Sequence, residues 1–250
     1  MKTRRLVIGD IHGNFPALKE VLTLSKFDYD KDKLIVLGDI VDGGPRTYEV
    51  VEELLKIKNL VLTLGNHDVF YLNHLQNGWA DEIWVQQGGA NTLRSYGAIV
   101  KESEYITGHS YINTKGIKIP ITHREFFNKG IYYHIEDEML FVHGGIIPNK
   151  PMEEQKEFDL TWDRELISYY RAGEFDVRFK KIFIGHTTTE IINGDTEPIM
   201  YENGPEGYIS SNDYKLICLD TGAGWSGRLT IMDIDTEKYW QSKIQKTGGR

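Results

Sequence analysis

Six residues of this chain offer oxygen or imidazole donors directly after a short apolar run: Asp10, His12, Asp39, Asn66, His143 and His186. Leu6 to Ile8 and Gly9 lead into Asp10 and, one residue on, His12. Leu34 to Leu37 and Gly38 lead into Asp39, and Leu60 to Leu64 with Gly65 lead into Asn66. Met139 to Val142 run straight into His143, and Ile182 to Ile184 with Gly185 precede His186. Oxygen and nitrogen ligands without thiolate suit divalent manganese first, or iron, zinc, nickel or magnesium. They are too many for one tetrahedral ion, and Asp39 could bridge two. Two ions a few ångströms apart bring the pKa of a shared water from about 15.7 towards 7 and also grip phosphate oxygens. A leaving alkoxide then needs a proton, which His67, directly after Asn66, is placed to give. Asp42, three residues after Asp39, can hold that imidazolium in orientation and favour its charged form. A lone histidine or aspartate is more often a structural group. Five occurrences of one pattern argue instead for a shared site. His74, His109, His123 and His134 follow no such run and are read as non-ligands.

The elements that must position these donors read as strands feeding a sheet edge, where α/β folds place their ligands. From residue 4 to 72 the chain alternates strand, helix, strand, helix, strand, which implies parallel pairing with right-handed crossovers. One helix is expected from near Pro16 to near Phe27 and a second from about Arg46 to Lys56. Tyr71 to Leu75 and Ala90 to Tyr96 read as helical, with Gly88-Gly89 breaking the path between them. Residues 105–121 read as loop or short hairpin. Strands resume at Tyr132 to Ile135, Met139 to Val142, Ile182 to Gly185, Leu216 to Asp220 and Leu229 to Ile234. Leu160 to Tyr170 is expected to be one helix bearing Trp162 and Arg164. Residues 193–213 read as a long loop or loose hairpin, and 245–250 as a frayed tail. A single domain over 1–250 is expected, with a cap-like region at about 74–130.

Apolar residues make up 40% and charged residues 26% of the 250, so a packed core is expected rather than disorder. The formal charge of −8, with basic residues dispersed, argues against nucleic-acid and anionic-membrane partners. Cys218 is the only cysteine, which excludes an internal disulfide and fits a reducing, cytoplasmic setting. In its apolar run it reads as a buried structural thiol. Leu6 to Ile8 is too short for a signal-peptide core, and no apolar run is long enough to span a membrane.

Gly9-Asp10-Ile11-His12-Gly13, Gly38-Asp39-Ile40-Val41-Asp42-Gly43-Gly44 and Gly65-Asn66-His67-Asp68 resemble the three ordered motifs of the calcineurin-like metallophosphoesterases. More narrowly, the chain resembles their phosphoprotein phosphatase branch in its bacterial and phage form. His143-Gly144-Gly145, Leu160-Thr161-Trp162-Asp163-Arg164, Gly185-His186-Thr187 and Leu219-Asp220-Thr221-Gly222 match later blocks in order, so the resemblance runs from about residue 5 to 235. It implies an α/β fold, a two-sheet β-sandwich flanked by helices, with two divalent ions at the strand ends. Asp10, His12 and Asp39 would hold the first metal; Asp39, Asn66, His143 and His186 would hold the second. His67 would be the general acid with Asp42 behind it. Arg164 and Asn66 would meet the substrate phosphate.

Two positions depart from the family pattern. Gly43 stands where an arginine usually clamps the phosphate, removing a charge-assisted bidentate contact. Arg46 could reach back to replace it, or be a solvated arginine at a helix start. Asp68 stands where the protein phosphatases usually have glutamate, while aspartate is common in the related dinucleoside tetraphosphatases and other bacterial members. The expected function is a metal-dependent phosphomonoesterase, similar to serine/threonine protein phosphatases, acting on a phosphorylated protein or a small phosphate ester. The alternatives are a dinucleoside polyphosphate hydrolase or small-molecule phosphodiesterase, and a non-catalytic binding protein that keeps the fold.

Overall fold

The first apolar run becomes strand β1 (Arg5–Ile8), all four of whose residues are buried. Its run is unbroken because both faces are covered. Leu6 and Ile8 pack outward against Leu18, Val21 and Val50, while Val7 points inward onto a second sheet. β2 (Lys33–Val36) and β3 (Asn59–Leu62) continue the sheet in parallel, with Ile8 beside Val36 and Val36 beside Leu62. The crossovers are α1 (Phe15–Leu24) and α2 (Thr47–Leu54). α1 starts where Asn14 Oδ1 accepts the Ala17 N–H at 3.1 Å and Pro16 fills the first turn.

The structure is a computed structural model and describes residues 3–78, 80, 82–101, 111–113, 117–174, 176–202 and 214–244. The tail at 245–250 and most of the expected loop at 193–213 therefore lie outside the described residues. So does much of 105–121, apart from the pair formed by β4 (Ile99–Lys101) and β5 (Tyr111–Asn113).

The second sheet runs β6-β7-β8-β10-β9. Its parallel centre is β7 (Met139–Val142), β8 (Lys181–Ile184) and β10 (Lys215–Cys218), and its antiparallel edges are β6 (Tyr133–Glu136) and β9 (Ile199–Glu202). The first sheet is completed by β11 (Thr230–Asp233), antiparallel to β1, and β12 (Tyr239–Gln241). Val7, Ile35, Leu37, Phe141, Phe183 and Ile217 fill the space between the sheets. The rings of Phe141 and Phe183 stack with centroids 4.9 Å apart. Helices cover both outer faces, giving the two-sheet sandwich flanked by helices. Cys218 is fully buried in that packing, which pushes its thiol up to about 12.

Two element boundaries differ from the sequence reading, and both matter for the site. The helix expected at Tyr71 to Leu75 begins five residues earlier, so that Asn66 and His67 open helix α3 (Asn66–Asn77). The expected helix over Leu160 to Tyr170 is two short helices, Glu157–Thr161 and Glu165–Arg171. The break has a local cause. Asp163 Oδ1 accepts the Glu165 N–H at 3.1 Å, and Gly144 N donates to Leu160 O at 2.8 Å, so both compete with the helical ladder. Arg164 caps the second piece in a non-helical conformation. At the amino ends of the strands a charge cluster ties the sheets together. Arg5 donates to Glu136, Asp137 and Asp235 at 3.1, 2.6 and 2.6 Å, and Lys33 pairs with Glu136.

Candidate functional site

The carboxyl ends of β1, β2, β7 and β8 and the first turn of α3 converge on one cleft of about 230 Å³. A larger, mostly apolar cavity of about 430 Å³ between α2, β3 and the helix Ile121–Asn128 contains none of the donors named above. Asp39 is the hub. Its Oδ1 accepts the His67 backbone N–H at 3.0 Å, and its Oδ2 lies 3.6 Å from His12 Nε2 and 3.3 Å from His143 Nε2. Asp10 accepts the His186 N–H at 3.1 Å. Asn66 Oδ1 is 3.2 Å from His143 Nε2. The glycine that precedes Asn66 has a steric reason: a Cβ on Gly65 would be driven into the Asp39 carboxylate. His12, Asp39, Asp42 and His186 all hold positive φ between 47° and 69°, a conformation that costs energy outside glycine and clusters at functional sites.

The imidazole hydrogen bonds show that the cluster fits metal ions. His12 Nδ1 donates to Val41 O at 2.9 Å, and His143 Nδ1 donates to Leu37 O at 2.7 Å. His186 Nε2 donates to Trp162 O at 2.9 Å. Each ring thereby commits one nitrogen to a backbone carbonyl and leaves the other as a lone pair, the arrangement that metal-ligating histidines use. For His143 that lone pair faces Asp39 Oδ2 and Asn66 Oδ1, acceptor against acceptor, which requires a cation or proton between them. Two donor groups, His12–Asp39–His67 and Asp39–His143–His186, each lie within 4.8 Å and share Asp39. Burial pushes Asp10 well above the usual carboxylate range, with Asp220 and Asp39 adding to it, and lowers His12 to about 4 and His186 to about 3. Such groups prefer to be neutral or to face a cation.

Beside this cluster sits a hydrogen-bonded histidine–carboxylate pair. His67 Nδ1 donates to Asp42 Oδ2 at 2.6 Å. Burial opposes the imidazolium, but Asp39 and Asp42 outweigh it and raise His67 to about 9. Asp42 is fully buried and braced from outside the sheet. Trp84 Nε1 donates to Oδ2 at 2.9 Å and Thr92 Oγ1 donates to Oδ1 at 2.7 Å, while the Asp42 N–H returns to Thr92 Oγ1 at 2.8 Å.

Of the residues singled out in the sequence, Asp39, His12, Asn66, His67, Arg164 and His186 line the cleft, with Asp10, Asp42 and His143 in the layer they touch. Arg164 makes no ion pair or hydrogen bond among the described residues. Arg46 is elsewhere. Its Nε donates to Glu49 Oε1 at 2.8 Å and its guanidinium lies 4.5 Å over the Phe15 ring. Histidines read as non-ligands have other partners: His123 meets Tyr96 and Glu52, and His134 meets Glu136. His109 lies outside the described residues.

The sequence reading gave no role to several residues found here. Asp68 accepts the Ile40 and Gly65 N–H groups at 3.0 and 3.1 Å, and burial and Asp39 raise it to about 7. Asp220, raised to about 6 by burial, lines the cleft with Trp162 and Trp225. Asp220 lay in a recognisable motif. Trp84 and Thr92 had no signal, because no strand leads to them.

Comparison with known proteins agrees with this geometry. Over 284 aligned positions the chain is 25% identical to a symmetrical bis(5'-nucleosyl)-tetraphosphatase of Neisseria gonorrhoeae, covering 97% of this chain and 95% of that one. Over 66 residues it is 41% identical to the enzyme of the same name from Coxiella burnetii, a match spanning only 23% of that relative. A metallophosphoesterase from Sphaerobacter thermophilus has a similar fold, with a TM-score of 0.57, 19% identity, and coverage of 97% of this chain and 90% of that one. The family model of the calcineurin-like phosphoesterases matches residues 3–211, and the chain belongs to that family.

Proposed function

We propose that this protein hydrolyses a phosphoric ester or anhydride with the help of two divalent ions, and that its substrate is a dinucleoside polyphosphate. The observation behind the hydrolytic reading is the buried Asp39 hub, where lone pairs of imidazole and carboxylate face one another beside the His67–Asp42 pair. Asp10, His12, Asp39, Asn66, His143 and His186 would hold the ions. When bound, they supply Lewis-acid activation of water and of the phosphoryl group. The chain provides the rest. His67 protonates the departing oxygen; Asp42 keeps its Nδ1–H committed and its ring aimed. Arg164 offers a guanidinium to the phosphoryl oxygens. The indoles of Trp162 and Trp225 give the cleft aromatic walls, suited to a flat base. The polyphosphate reading draws on the names of the relatives and on the position of Arg46, which leaves Arg164 as the one arginine lining the cleft among the described residues.

A phosphomonoesterase of the serine/threonine protein phosphatase kind is the second reading, and Arg164 favours it, since an unpaired guanidinium suits a dianionic phosphate. The test is turnover after chelation and manganese reconstitution. The substrates are diadenosine tetraphosphate, p-nitrophenyl phosphate, bis(p-nitrophenyl) phosphate, and peptides bearing phosphoserine, phosphothreonine or phosphotyrosine. Diadenosine tetraphosphate is expected to give the highest kcat/KM. Preference for the phosphopeptides would install the second reading, and no metal-dependent turnover of any ester would overturn both.

A further inference from the structure

Gly43, which replaces the expected phosphate-clamping arginine, sits tight against its neighbours in a conformation that strains any other residue. Its φ is +63°, and a Cβ there would lie 3.0 Å from His12 Cβ and 3.1 Å from Gly224 O. The space over it is taken by another segment. Val85–Gly89 is a kink between two helical pieces, with Gly88 at a non-helical φ of +112°, and a Cβ on Gly88 would fall 2.6 Å from Gly43 N. Asn91 Nδ2 donates to Gly43 O at 2.6 Å, and Trp84 and Thr92 fasten the two ends of the segment to Asp42. The residue just before the kink is Gln87, which enters the cleft alongside His12, Asp39, His67 and Arg164. Gln86 turns the other way, towards Glu82. The Gln87 amide is half-buried and forms no hydrogen bond among the described residues.

We propose that Gln87 is a substrate-binding residue whose amide N–H donates to a non-bridging oxygen of the phosphoryl group under attack, from the side left bare by Gly43. A neutral amide in place of a guanidinium sets the site for a phosphorus centre bearing one negative charge, as in a phosphodiester or an internal phosphoanhydride. A terminal monoester, a dianion, loses more when a cationic donor gives way to a neutral one, because the lost Coulomb attraction grows with its charge. This inference rests on the hydrolytic function proposed above and narrows it.

The test is the ratio of kcat/KM for bis(p-nitrophenyl) phosphate to that for p-nitrophenyl phosphate in the manganese-loaded enzyme. Gln87→Met keeps the length and removes the amide, so it should lower diester kcat/KM by about 10- to 100-fold, the worth of one hydrogen bond to a charged group, with a smaller loss on the monoester. Gln87→Lys should move the ratio towards the monoester. Metal content and thermal midpoint, measured alongside, should stay at wild-type values in both variants. An unchanged ratio in both variants overturns the role of Gln87, and so does an equal loss on the two substrates. Absence of wild-type turnover on either ester would instead overturn the function on which the inference stands.

Discussion

Asp39 offers two oxygens to three imidazole-bearing neighbours, so its charge serves both halves of the cluster. Asp39→Asn is expected to lower metal content, read by elemental analysis, and to abolish turnover. Two ions retained with wild-type turnover would place the bridge elsewhere. His67 has a separable role. His67→Asn should keep its metals and lose about 10²–10⁴-fold in kcat on alkyl phosphates, with a smaller loss on aryl leaving groups that need little protonation. Trp84→Phe removes one of the donors on Asp42 and should show the same leaving-group dependence at roughly a tenth of that effect or less. Equal losses on alkyl and aryl substrates would give both residues some other role. The gathering of the candidate metal donors was legible because each follows a strand that delivers it to one edge. The brace on Asp42 was not, since Trp84 and Thr92 arrive from a segment with no strand signal, and a tryptophan in such a stretch reads as core. Arg46 shows the converse. Proximity along the chain suggested that it could reach the phosphate or be a solvated helix-start arginine, and in the structure its guanidinium is engaged by Glu49, one helical turn on, and by the Phe15 ring.

Elements position the site through close backbone approach at one end and charge at the other. Gly65 lies between β3 and α3, and Gly65→Ala should displace the Asp39 carboxylate. The expected cost is about 1–3 kcal/mol in a urea titration together with loss of metal. At the opposite end burial disfavours the Glu136 carboxylate, but Lys33, His134 and Arg5 outweigh this and hold it at about 2 against an ordinary 4.5. A carboxyl depressed in the folded state stabilises fully above 4.5, and that contribution is lost as pH falls from 4.5 towards 2. Glu136→Gln should therefore flatten the fall of the urea midpoint over that window; an unchanged slope would show that the cluster adds nothing to sheet–sheet cohesion. Helix and strand identities were mostly legible from periodicity. The break at Trp162–Arg164 was not, because it depends on Gly144 of another element capturing the Leu160 carbonyl.

On the scale of the whole molecule, Asp10, Asp39, Asp68 and Asp220 are all buried at one end of a chain of net charge −8. Cations that bind there and not to the unfolded chain must stabilise the fold, by about 2.7 kcal/mol when present at a hundred times their Kd. Manganese should accordingly raise the thermal midpoint of the chelator-treated protein, and an unchanged midpoint would argue against a metal-loaded native state. Among the described residues no helix is long and apolar enough to cross a membrane. The layered architecture and the parallel pairing of β1 to β3 were legible from strand order and from the family motifs, but the pairing of β1 with β11 was not, because β1 has one neighbour near in sequence and one far away. Leu6 lies beside Leu34 on one side and Asp233 on the other. For a chain made from its amino end, that asymmetry orders events in time. β1, β2 and β3 emerge first and can pair at once, while the free edge of β1 waits for β11. At about 5–20 residues per second that interval is roughly 10–40 s, during which a bare strand edge invites pairing with other chains. Asp10 and Asp39 also precede His143 and His186 onto the scene, so ions can be gripped from both sides only after the second sheet has closed over the first.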